Sequence, residues 1–294
     1  PGRNRDALRK KRDRLLHILY EEGYLDRMTY ELSCLEPLPE KPVPLPHHAP
    51  HLLDRMAKGQ PEEHVFRTTI HSPLQLQVQS IVNSYAAEYR SNYIYNAAAL
   101  VADVETGEVW AYVGNATDGL PDGQGGQVDI IASPRSTGSI LKPFLYAGML
   151  SDGQLLPKTL VPDVPLNIRG FTPQNYSKTF SGAVPAEEAV ARSLNVPLVR
   201  MLSDYKTGRF MSLLKRMGMT TLRFSESHYG ASLILGGAEG TLWDLTGMYA
   251  SAARKMAHYH RYNGRYDEQD VHPLRLVPGD KPDEGELALT SDPS

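Results

Sequence analysis

Apolar residues in the first part of the chain recur at the spacing of an α-helix. Leu8, Leu15 and Leu19 follow this spacing, and Gly23 interrupts it. Between the leucines the positions are mostly charged or polar, as on a helix that exposes one face to water. The pattern therefore predicts one or two helices over residues 4–35.

From residue 65 onward the pattern becomes that of a mixed α/β domain. Two apolar runs, residues 97–104 and 108–113, are joined by a short turn and predict a β-hairpin. Apolar spacing and helix-starting residues predict helices elsewhere, and Ser72-Pro73 opens the first of them. The predicted helices cover residues 72–85, 139–150, 186–194, 197–204, 208–217 and 241–257.

Prolines separate the helical start from this domain. Six of them lie between residues 36 and 50: Pro37, Pro39, Pro42, Pro44, Pro46 and Pro50. Such a run precludes helix and favours extended, polyproline-like chain. The predicted organisation is therefore a helical segment over residues 1–35, a proline-rich linker over residues 36–64, and a domain over residues 65–294.

The composition is that of a globular protein, with 41% hydrophobic and 22% charged residues. A net charge of -3 argues against a general nucleic-acid binder. The single cysteine, Cys34, rules out an internal disulfide framework. No apolar run approaches the roughly 18 to 20 residues that span a bilayer. Because the chain begins inside a charged pattern and without Met, we expect it to be a piece of a longer protein.

Several polar clusters have ordinary structural explanations. The basic residues of the first helix fit a solvated face better than a phosphate- or membrane-binding patch. His47, His48 and His51 lie in or beside a proline-rich connector, which rarely provides the ordered frame of a metal site. The aspartates of the Gly-rich loop over residues 114–128 lack the spacing of a calcium loop. We therefore predict no metal site and no cofactor.

The stretch from Ser136 to Phe144 carries the first candidate chemistry. Ser139 and Lys142 are three residues apart at a predicted helix start, so their side chains share one face. A serine hydroxyl is a poor nucleophile until a neighbour takes its proton, and a lysine can do so if burial keeps it neutral. The spacing alone is weak, because a helix cap followed by a surface lysine has the same pattern.

A second candidate element lies at a junction between two predicted helices. Ser193 and Asn195 precede Pro197 there, and serine and asparagine often cap helix ends. Equally, they could point into a cleft, with Ser193 relaying a proton and Asn195 holding a substrate amide. Local sequence leaves both interpretations open.

Together the two motifs resemble the signature of penicillin-binding proteins and the related β-lactamases, which combines Ser-x-x-Lys, a Ser/Asp/Asn motif and Lys-Thr-Gly. The first is present as Ser139 and Lys142, the second as Ser193 and Asn195. Between about residues 68 and 278 the chain looks like the transpeptidase domain of bifunctional, class A members. The similar stretches are residues 135–139, 142–144, 173–176, 180–182, 235–237, 241–242 and 249–250.

This resemblance implies an α/β fold of the penicillin-binding protein and serine β-lactamase type, with a helical subdomain plus an antiparallel sheet. It implies a peptidoglycan D,D-transpeptidase that cross-links stem peptides through a serine acyl-enzyme and is acylated by β-lactams. Ser139 would be the nucleophile and Lys142 its proton acceptor. Ser193 would pass the proton to the leaving amine, and Asn195 would bind the acyl-side amide.

The resemblance also suggests a larger context. Residues 1–35 look like the closing helices of the family's glycosyltransferase domain, so the parent protein would also be a glycosyltransferase. A membrane anchor upstream would hold it on the outer, periplasmic face of the bacterial cytoplasmic membrane. Two alternatives stay open: a D,D-carboxypeptidase or β-lactamase-like hydrolase with water as acceptor, and a non-catalytic penicillin-binding sensor.

One departure from the family pattern concerns the third motif. The Lys-Thr-Gly at residues 206–208 follows Asn195 by eleven residues, whereas the family motif lies on a strand well beyond residue 249. We interpret it as a coincidental turn between two helices, with Gly208 as helix terminator. We therefore expect the chain to stop before the true motif and to lack the C-terminal strands of the sheet. The edge of the hairpin would then expose unpaired backbone groups.

Overall fold

The computed structural model describes residues 4–38, 46–117, 123–168, 170–279 and 289–290. The chain divides into two compact units, Pro1–His47 and His48–Ser294. The α-helices of the described part are α1 (Arg5–Glu21), α2 (Arg27–Leu35), α3 (Pro50–Gly59), α4 (Ser72–Tyr89), α5 (Lys142–Ser151), α6 (Ala186–Ala191), α7 (Asn195–Tyr205), α8 (Thr207–Arg216), α9 (Glu226–Tyr229) and α10 (Leu242–Arg261). Its strands are β1 (Ala99–Ala102), β2 (Val109–Val113), β3 (Arg135–Ser136), β4 (Leu160–Asp163), β5 (Gly182–Pro185), β6 (Glu239–Gly240), β7 (Tyr266–Asp267) and β8 (Leu289–Thr290). Three 3₁₀ helices accompany them: Arg90–Asn92, Gly230–Leu235 and Glu268–Asp270.

The first unit is a pair of helices, α1 and α2. The carboxylate of Asp26 caps α2 by accepting from the backbone N–H of Thr29 at 2.7 Å. The guanidinium of Arg12 donates to the carbonyls of Cys34 and Glu36, where α2 ends. At least one residue of the predicted solvated basic face therefore joins the two helices.

Helix α3 lies inside the predicted linker. Proline in its first turn is compatible with a helix, because the N–H that proline lacks has no partner there anyway. Leu52 packs in a buried cluster with Val109, and buried His51 shares a hydrogen bond of 2.8 Å with the carbonyl of Gly126. The second compact unit accordingly begins at His48 rather than at residue 65, while residues 39–45 of the predicted linker lie outside the described residues.

Strands β1 and β2 form the antiparallel hairpin that the apolar runs predict, with shorter strands. A bulge between Val101 and Ala102 shifts the register near the turn. In the turn, the carboxylate of Asp103 accepts from the N–H of Thr106 at 2.7 Å, and Gly107 takes a φ of 69°. These are the features of an Asx turn closed by a glycine.

The outer edge of β2 is paired with a neighbouring segment of the chain. The side-chain amide of buried Gln75 accepts from the N–H of Tyr112 at 2.7 Å and donates to its carbonyl at 3.0 Å. The N–H of His71 donates to the carbonyl of Trp110. Segment 69–75 thereby substitutes for a neighbouring strand and satisfies backbone groups that would otherwise be costly to bury.

Beyond the hairpin the chain is mainly helical, as predicted, but it also contains short strands that were not predicted, of which β4 and β5 are the longest. Strands β4 and β5 pair in an antiparallel ribbon from Leu160 opposite Pro185 to Asp163 opposite Gly182. β4 contains a proline, and β5 contains a proline and a glycine. Residue propensities therefore do not predict this ribbon. The chain after residue 279 lies outside the described residues except for β8, which pairs with β7.

The larger hydrophobic core belongs to the helices. Leu198 and Leu202 on one face of α7 are almost completely buried against α5 and the 3₁₀ helix Gly230–Leu235. A smaller core joins β2, α3 and α10. In the part of the chain that the structure describes, no helix combines the length and the apolar character needed to cross a bilayer.

A buried polar cluster ties the end of α10 to the hairpin turn. His258 shares hydrogen bonds with Asp270 at 2.5 Å and with Glu105 at 2.9 Å. Arg254, also buried, donates to the carbonyls of Val104 and Glu105. Burial alone would lower the pKa of His258, but the two carboxylate hydrogen bonds outweigh it and raise that pKa above the ordinary value of 6.5.

This cluster predicts a pH-dependent stability of α10. Because the folded pKa of His258 is raised, its contribution is complete below pH 6.5 and is lost as pH rises through the folded value. We expect His258→Gln to lower the free energy of local opening by about 1 to 3 kcal/mol at low pH and to flatten its decline with pH. Hydrogen exchange of α10 in the full-length protein, corrected for the intrinsic pH dependence of exchange, measures both effects.

His260→Gln is the matched control, because His260 is an exposed histidine two residues further along the same helix. It should leave the exchange profile unchanged. An identical pH dependence in wild type and His258→Gln would contradict the assignment.

Candidate active site

Ser139 lies on an exposed turn, and helix α5 begins at Lys142 rather than at residue 139 as predicted. In an α-helix the carbonyl of Ser139 would accept from residue 143, but Pro143 has no N–H. The carbonyl instead accepts from the N–H of Lys142 at 3.1 Å, while Ile140 donates to Thr137 at 3.1 Å. Ser139 therefore precedes helix α5 and lies on a tight turn.

A short segment after the Gly230–Leu235 3₁₀ helix supports this turn. The hydroxyl of Ser136 donates to the carbonyl of Gly236 at 2.8 Å, and the N–H of Thr137 donates to that of Ala238 at 3.0 Å. Gly236 has a φ of 97°, and a Cβ there would lie 2.7 Å from the Ser136 hydroxyl and 2.8 Å from Gly138. Only glycine permits this close approach.

Tyr249 of α10 holds the turn from another direction. Its hydroxyl donates to the carbonyl of Ile140 at 2.7 Å, and its ring packs edge-on against Phe144 with centroids 4.8 Å apart. Burial raises the pKa of Tyr249, so the phenol keeps the proton that it donates. The residue that follows Ser139 is therefore anchored by a helix more than a hundred positions away.

Lys142 is buried, with 1% of its surface exposed. Its Nζ donates to the Ser193 carbonyl at 2.7 Å, to the Ser193 hydroxyl at 3.1 Å and to Asn195 Oδ1 at 2.8 Å. All three acceptors are neutral, and among the described residues no carboxylate lies within ion-pair distance of Nζ. Burial consequently lowers the pKa of Lys142 to about 8.

The structure thus brings Lys142, Ser193 and Asn195 together and leaves the Ser139 hydroxyl free. Within the described residues, Ser139 Oγ forms no hydrogen bond with Nζ of Lys142 or with any other group. Catalytic hydrogen bonds are often long before substrate binds. The free hydroxyl is available to a substrate from the solvent side.

Ser193 and Asn195 lie at the junction of α6 and α7, and neither side chain caps a helix. Ser193 takes a φ of 53°, a left-handed conformation that costs a non-glycine residue energy. Asn195 opens α7, yet its Nδ2 donates to the carbonyl of Gln174 at 2.8 Å and its Oδ1 faces Lys142. Of the two open interpretations, the geometry matches side chains that point to a shared polar site.

The Lys-Thr-Gly at residues 206–208 lies at the junction of two helices, as predicted: Lys206 separates α7 from α8, and Thr207 and Gly208 begin α8. Lys206 is exposed, and its Nζ donates to the carbonyl of Ser203. Gly208 does not terminate a helix as predicted: the break falls at Lys206, with φ of 77°, and Gly208 belongs to the first turn of α8. A Cβ on Gly208 would meet the carboxylate of Glu226, an exposed side chain that would have to move aside.

Two buried residues next to the site were not identified as candidates from the sequence. Asn175 appeared only as part of a similar stretch, and Asp163 was not singled out. Both lie in the connection that contains β4 and β5, and they bond to each other at 2.8 Å. A polar residue in an otherwise apolar four-residue strand is the one local signal for Asp163.

Comparison with known proteins identifies relatives of this chain. Residues 97–238 match the penicillin binding protein transpeptidase domain, a range that includes all four candidate residues. The chain is 31% identical over 254 residues to penicillin-binding protein 1C of Escherichia coli, covering 86% of this chain and 32% of that protein. It is 25% identical to penicillin-binding protein 1B of Vibrio cholerae, covering 85% of this chain and 34% of the relative. The chain thus spans about a third of the length of these curated relatives.

Solved structures show the same fold. Penicillin-binding protein 1A of Haemophilus influenzae superimposes with a TM-score of 0.62 at 15% identity, covering 92% of this chain and 53% of that one. PonA1 of Mycobacterium tuberculosis, solved with penicillin V, gives a TM-score of 0.53 at 19% identity, covering 93% of this chain and 61% of that one. These likenesses confirm the predicted fold class.

The close contact at Gly236 predicts a substitution effect. Gly236→Ala should lower the free energy of unfolding by about 1 to 2 kcal/mol because of the left-handed backbone. Crowding against the Ser139 turn should lower it by about 1 to 3 kcal/mol more. Gly218→Ala is the control, because Gly218 has a similar φ of 104° and nothing within 4 Å of its Cβ position. Thermal unfolding of the full-length protein compares the two, and equal losses would contradict the close contact.

Proposed function

The chain belongs to the penicillin-binding protein family through its transpeptidase domain, and we propose that Ser139 is the acyl-accepting nucleophile of a peptidoglycan D,D-transpeptidase. The observation that carries this proposal is the environment of Lys142. A buried amine with only neutral hydrogen-bond partners, one helical turn from an exposed serine, is suited to remove that serine's proton. Its lowered pKa brings the neutral form within reach of physiological pH.

Neutral Lys142 has two N–H groups and one lone pair, whereas the protonated form has three donors. The Ser193 carbonyl and Asn195 Oδ1 can only accept, so they retain the two N–H groups. The Ser193 hydroxyl can reverse its role and donate to the lone pair. Ser193 is therefore the partner that responds to the proton state of Lys142, which supports a role as proton relay.

In the proposed acylation, Ser139 Oγ attacks the penultimate carbonyl of a stem peptide that ends in D-Ala-D-Ala. Its proton passes to Lys142, the Oγ–C bond forms, and the C–N bond breaks as the last D-alanine leaves with a proton relayed by Ser193. The backbone N–H of Ser139, which has no acceptor in the described structure, is available to the developing oxyanion. Asn195 would bind the acyl-side amide through the second hydrogen of its Nδ2, while its Oδ1 keeps accepting from Lys142.

In the second half, an amine of a neighbouring stem peptide attacks the ester carbon. A new amide bond forms, the ester bond to Ser139 Oγ breaks, and the proton lost by the amine returns to Oγ through Lys142. A β-lactam would enter the first half by opening its ring amide. PonA1, a structural neighbour, was solved with penicillin V, which supports β-lactams as ligands here.

The relatives are about three times as long as this chain, so the whole protein's activity is a further proposal. We propose that it is also a peptidoglycan glycosyltransferase, with residues 1–35 closing that domain. We also propose that it is anchored on the outer face of the cytoplasmic membrane, where peptidoglycan stem peptides are available.

The nucleophile assignment predicts a single acylation site. A fluorescent penicillin should label Ser139 alone in the full-length protein, and Ser139→Ala should abolish labelling, because no other described serine lies one helical turn from a buried lysine. Peptide mapping by mass spectrometry identifies the adduct. Adduct on another serine, or labelling of folded Ser139→Ala, would overturn the proposal.

The base assignment predicts a pH profile. Acylation should accelerate as pH rises through about 8, where Lys142 loses its proton. Lys142→Ala should slow acylation by about 10²- to 10⁴-fold, a typical general-base contribution. Lys206→Ala, which removes an exposed lysine from the α7–α8 turn, is the control and should acylate at the wild-type rate. Acylation of Lys142→Ala within twofold of wild type would show that another base acts.

Product analysis separates the alternatives. Stem-peptide substrate incubated with the full-length protein should yield free D-alanine together with cross-linked peptide. Free D-alanine without cross-links would indicate a hydrolase, and penicillin labelling without either product would indicate a sensor.

A further inference from the structure

A second buried polar network lies directly behind Asn195. Asn175 Oδ1 accepts from the N–H of Asn195 at 3.0 Å and from the N–H of Val196 at 3.2 Å. Its Nδ2 donates to Asp163 Oδ1 at 2.8 Å and to the carbonyl of Thr179 at 3.0 Å. All four hydrogen-bonding positions of this one amide are used, which is the most that a primary amide commonly achieves.

The orientation of the Asn175 amide follows from its partners. Backbone N–H groups can only donate, so the amide oxygen must face α7. An ionised carboxylate can only accept, so the amide nitrogen must face Asp163. Reversing the amide would break every one of its contacts, and the side chain is therefore held in one orientation.

Asp163 fixes the far side of this network. It is 1% exposed, and among the described residues no cation lies within ion-pair distance of its carboxylate. Its two oxygens accept from Asn175 Nδ2 and from the N–H of Ser181 at 2.9 Å. A buried carboxylate is costly unless its hydrogen bonds are made, so losing either donor is penalised strongly.

The network also completes the start of α7. The residue before the helix, Leu194, has no side chain that can cap, so the first N–H groups of α7 need an acceptor from elsewhere. Asn175 provides it from a position twenty residues earlier. The backbone of Asn195 is thereby fixed, and with it the Oδ1 that accepts from Lys142 Nζ.

We propose that Asn175, oriented by Asp163, is a positioning residue for the acylation reaction. It holds Asn195 in place, and Asn195 in turn fixes the amine of Lys142. This inference rests on the proposed function, since it concerns the residues assigned to proton transfer. The buried network contacts the backbone N–H of Asn195 but neither the nucleophile nor the Asn195 side chain that would bind substrate, so Asn175 and Asp163 act only through Asn195.

The reciprocal exchange of the two residues tests this role. Asn175→Asp alone places two carboxylates in contact and removes both Nδ2 donations, so Asn195 should shift. We expect the second-order rate of acylation by a fluorescent penicillin to fall by up to about 100-fold, as when a reacting group moves by about 1 Å. Asn167→Asp is the control: the same substitution on the same connecting segment, at an exposed residue that only accepts from Gly170. It should acylate at the wild-type rate.

The double variant Asp163→Asn with Asn175→Asp restores complementary polarity between the two positions. Asn at position 163 accepts from Ser181 and donates to Asp at position 175, which still accepts from Asn195 and Val196, while the carbonyl of Thr179 stays without its donor. We therefore expect part of the lost rate to return. The negative charge now lies one link closer to Lys142, which favours its protonated form, so the pH profile should move to higher pH. A residue needed only for folding would change the melting temperature without moving that profile.

The outcomes separate the two proposals. All rates are measured in the full-length protein, at a temperature where melting curves show each variant folded. If Asn175→Asp does not fold, the rates and pH profiles of Asp163→Asn and of the double variant are compared with wild type instead. A wild-type protein that is acylated at Ser139 while every folded variant keeps its rate and pH profile would overturn this inference alone. A double variant that is no faster than Asn175→Asp would also overturn it. A wild-type protein that takes up no penicillin would overturn the proposed function and this inference with it.

Discussion

The burial of one lysine amine among neutral oxygens is the constraint on which the rest of the site depends. A buried ammonium needs its hydrogen bonds, and a carboxylate partner would satisfy them while stabilising the charge. Lys142 has two carbonyl-type acceptors and one hydroxyl instead. Its hydrogen bonds are satisfied, yet its pKa stays lowered. This combination is fragile, because any shift in an acceptor leaves a buried polar group without a partner.

The surrounding structure limits such shifts by making each acceptor part of another rigid element. Ser193 occupies a strained backbone position between α6 and α7, and Asn195 is the first residue of α7. The start of α7 is in turn fastened to the β4–β5 connection through Asn175. On the other side, the Ser139 turn is packed against Gly236 so closely that a single methyl group would not fit. The Ser139 turn and the Lys142 amine are thus held by separate supports.

Helix α10 links this site to the sheet. Near its middle, Tyr249 bonds to the carbonyl that follows Ser139, and further along, Arg254 and His258 bond to the hairpin turn at Val104 and Glu105. A single helix of 20 residues therefore contacts both the Ser139 turn and the end of the β1–β2 hairpin. The reach of a rigid helix explains how the helical core and the sheet are kept in one arrangement.

The sequence alone determined those structural features that depend on residues close together in the chain. Spacing predicted α4, α10 and the hairpin, and it placed Ser139 one turn from Lys142, because helix and strand periods relate residues a few positions apart. The exact start of α5 depended on the missing N–H of Pro143, which spacing does not register. Prolines and a glycine concealed the β4–β5 ribbon. Tertiary structure alone decided which oxygens face the lysine amine, since Ser193 and Asn195 are 51 and 53 residues away. Tertiary structure also decided that Asn175 and Asp163 support the backbone of Asn195. Packing selects hydrogen-bond partners that are so far apart in the chain, and no local sequence pattern encodes it.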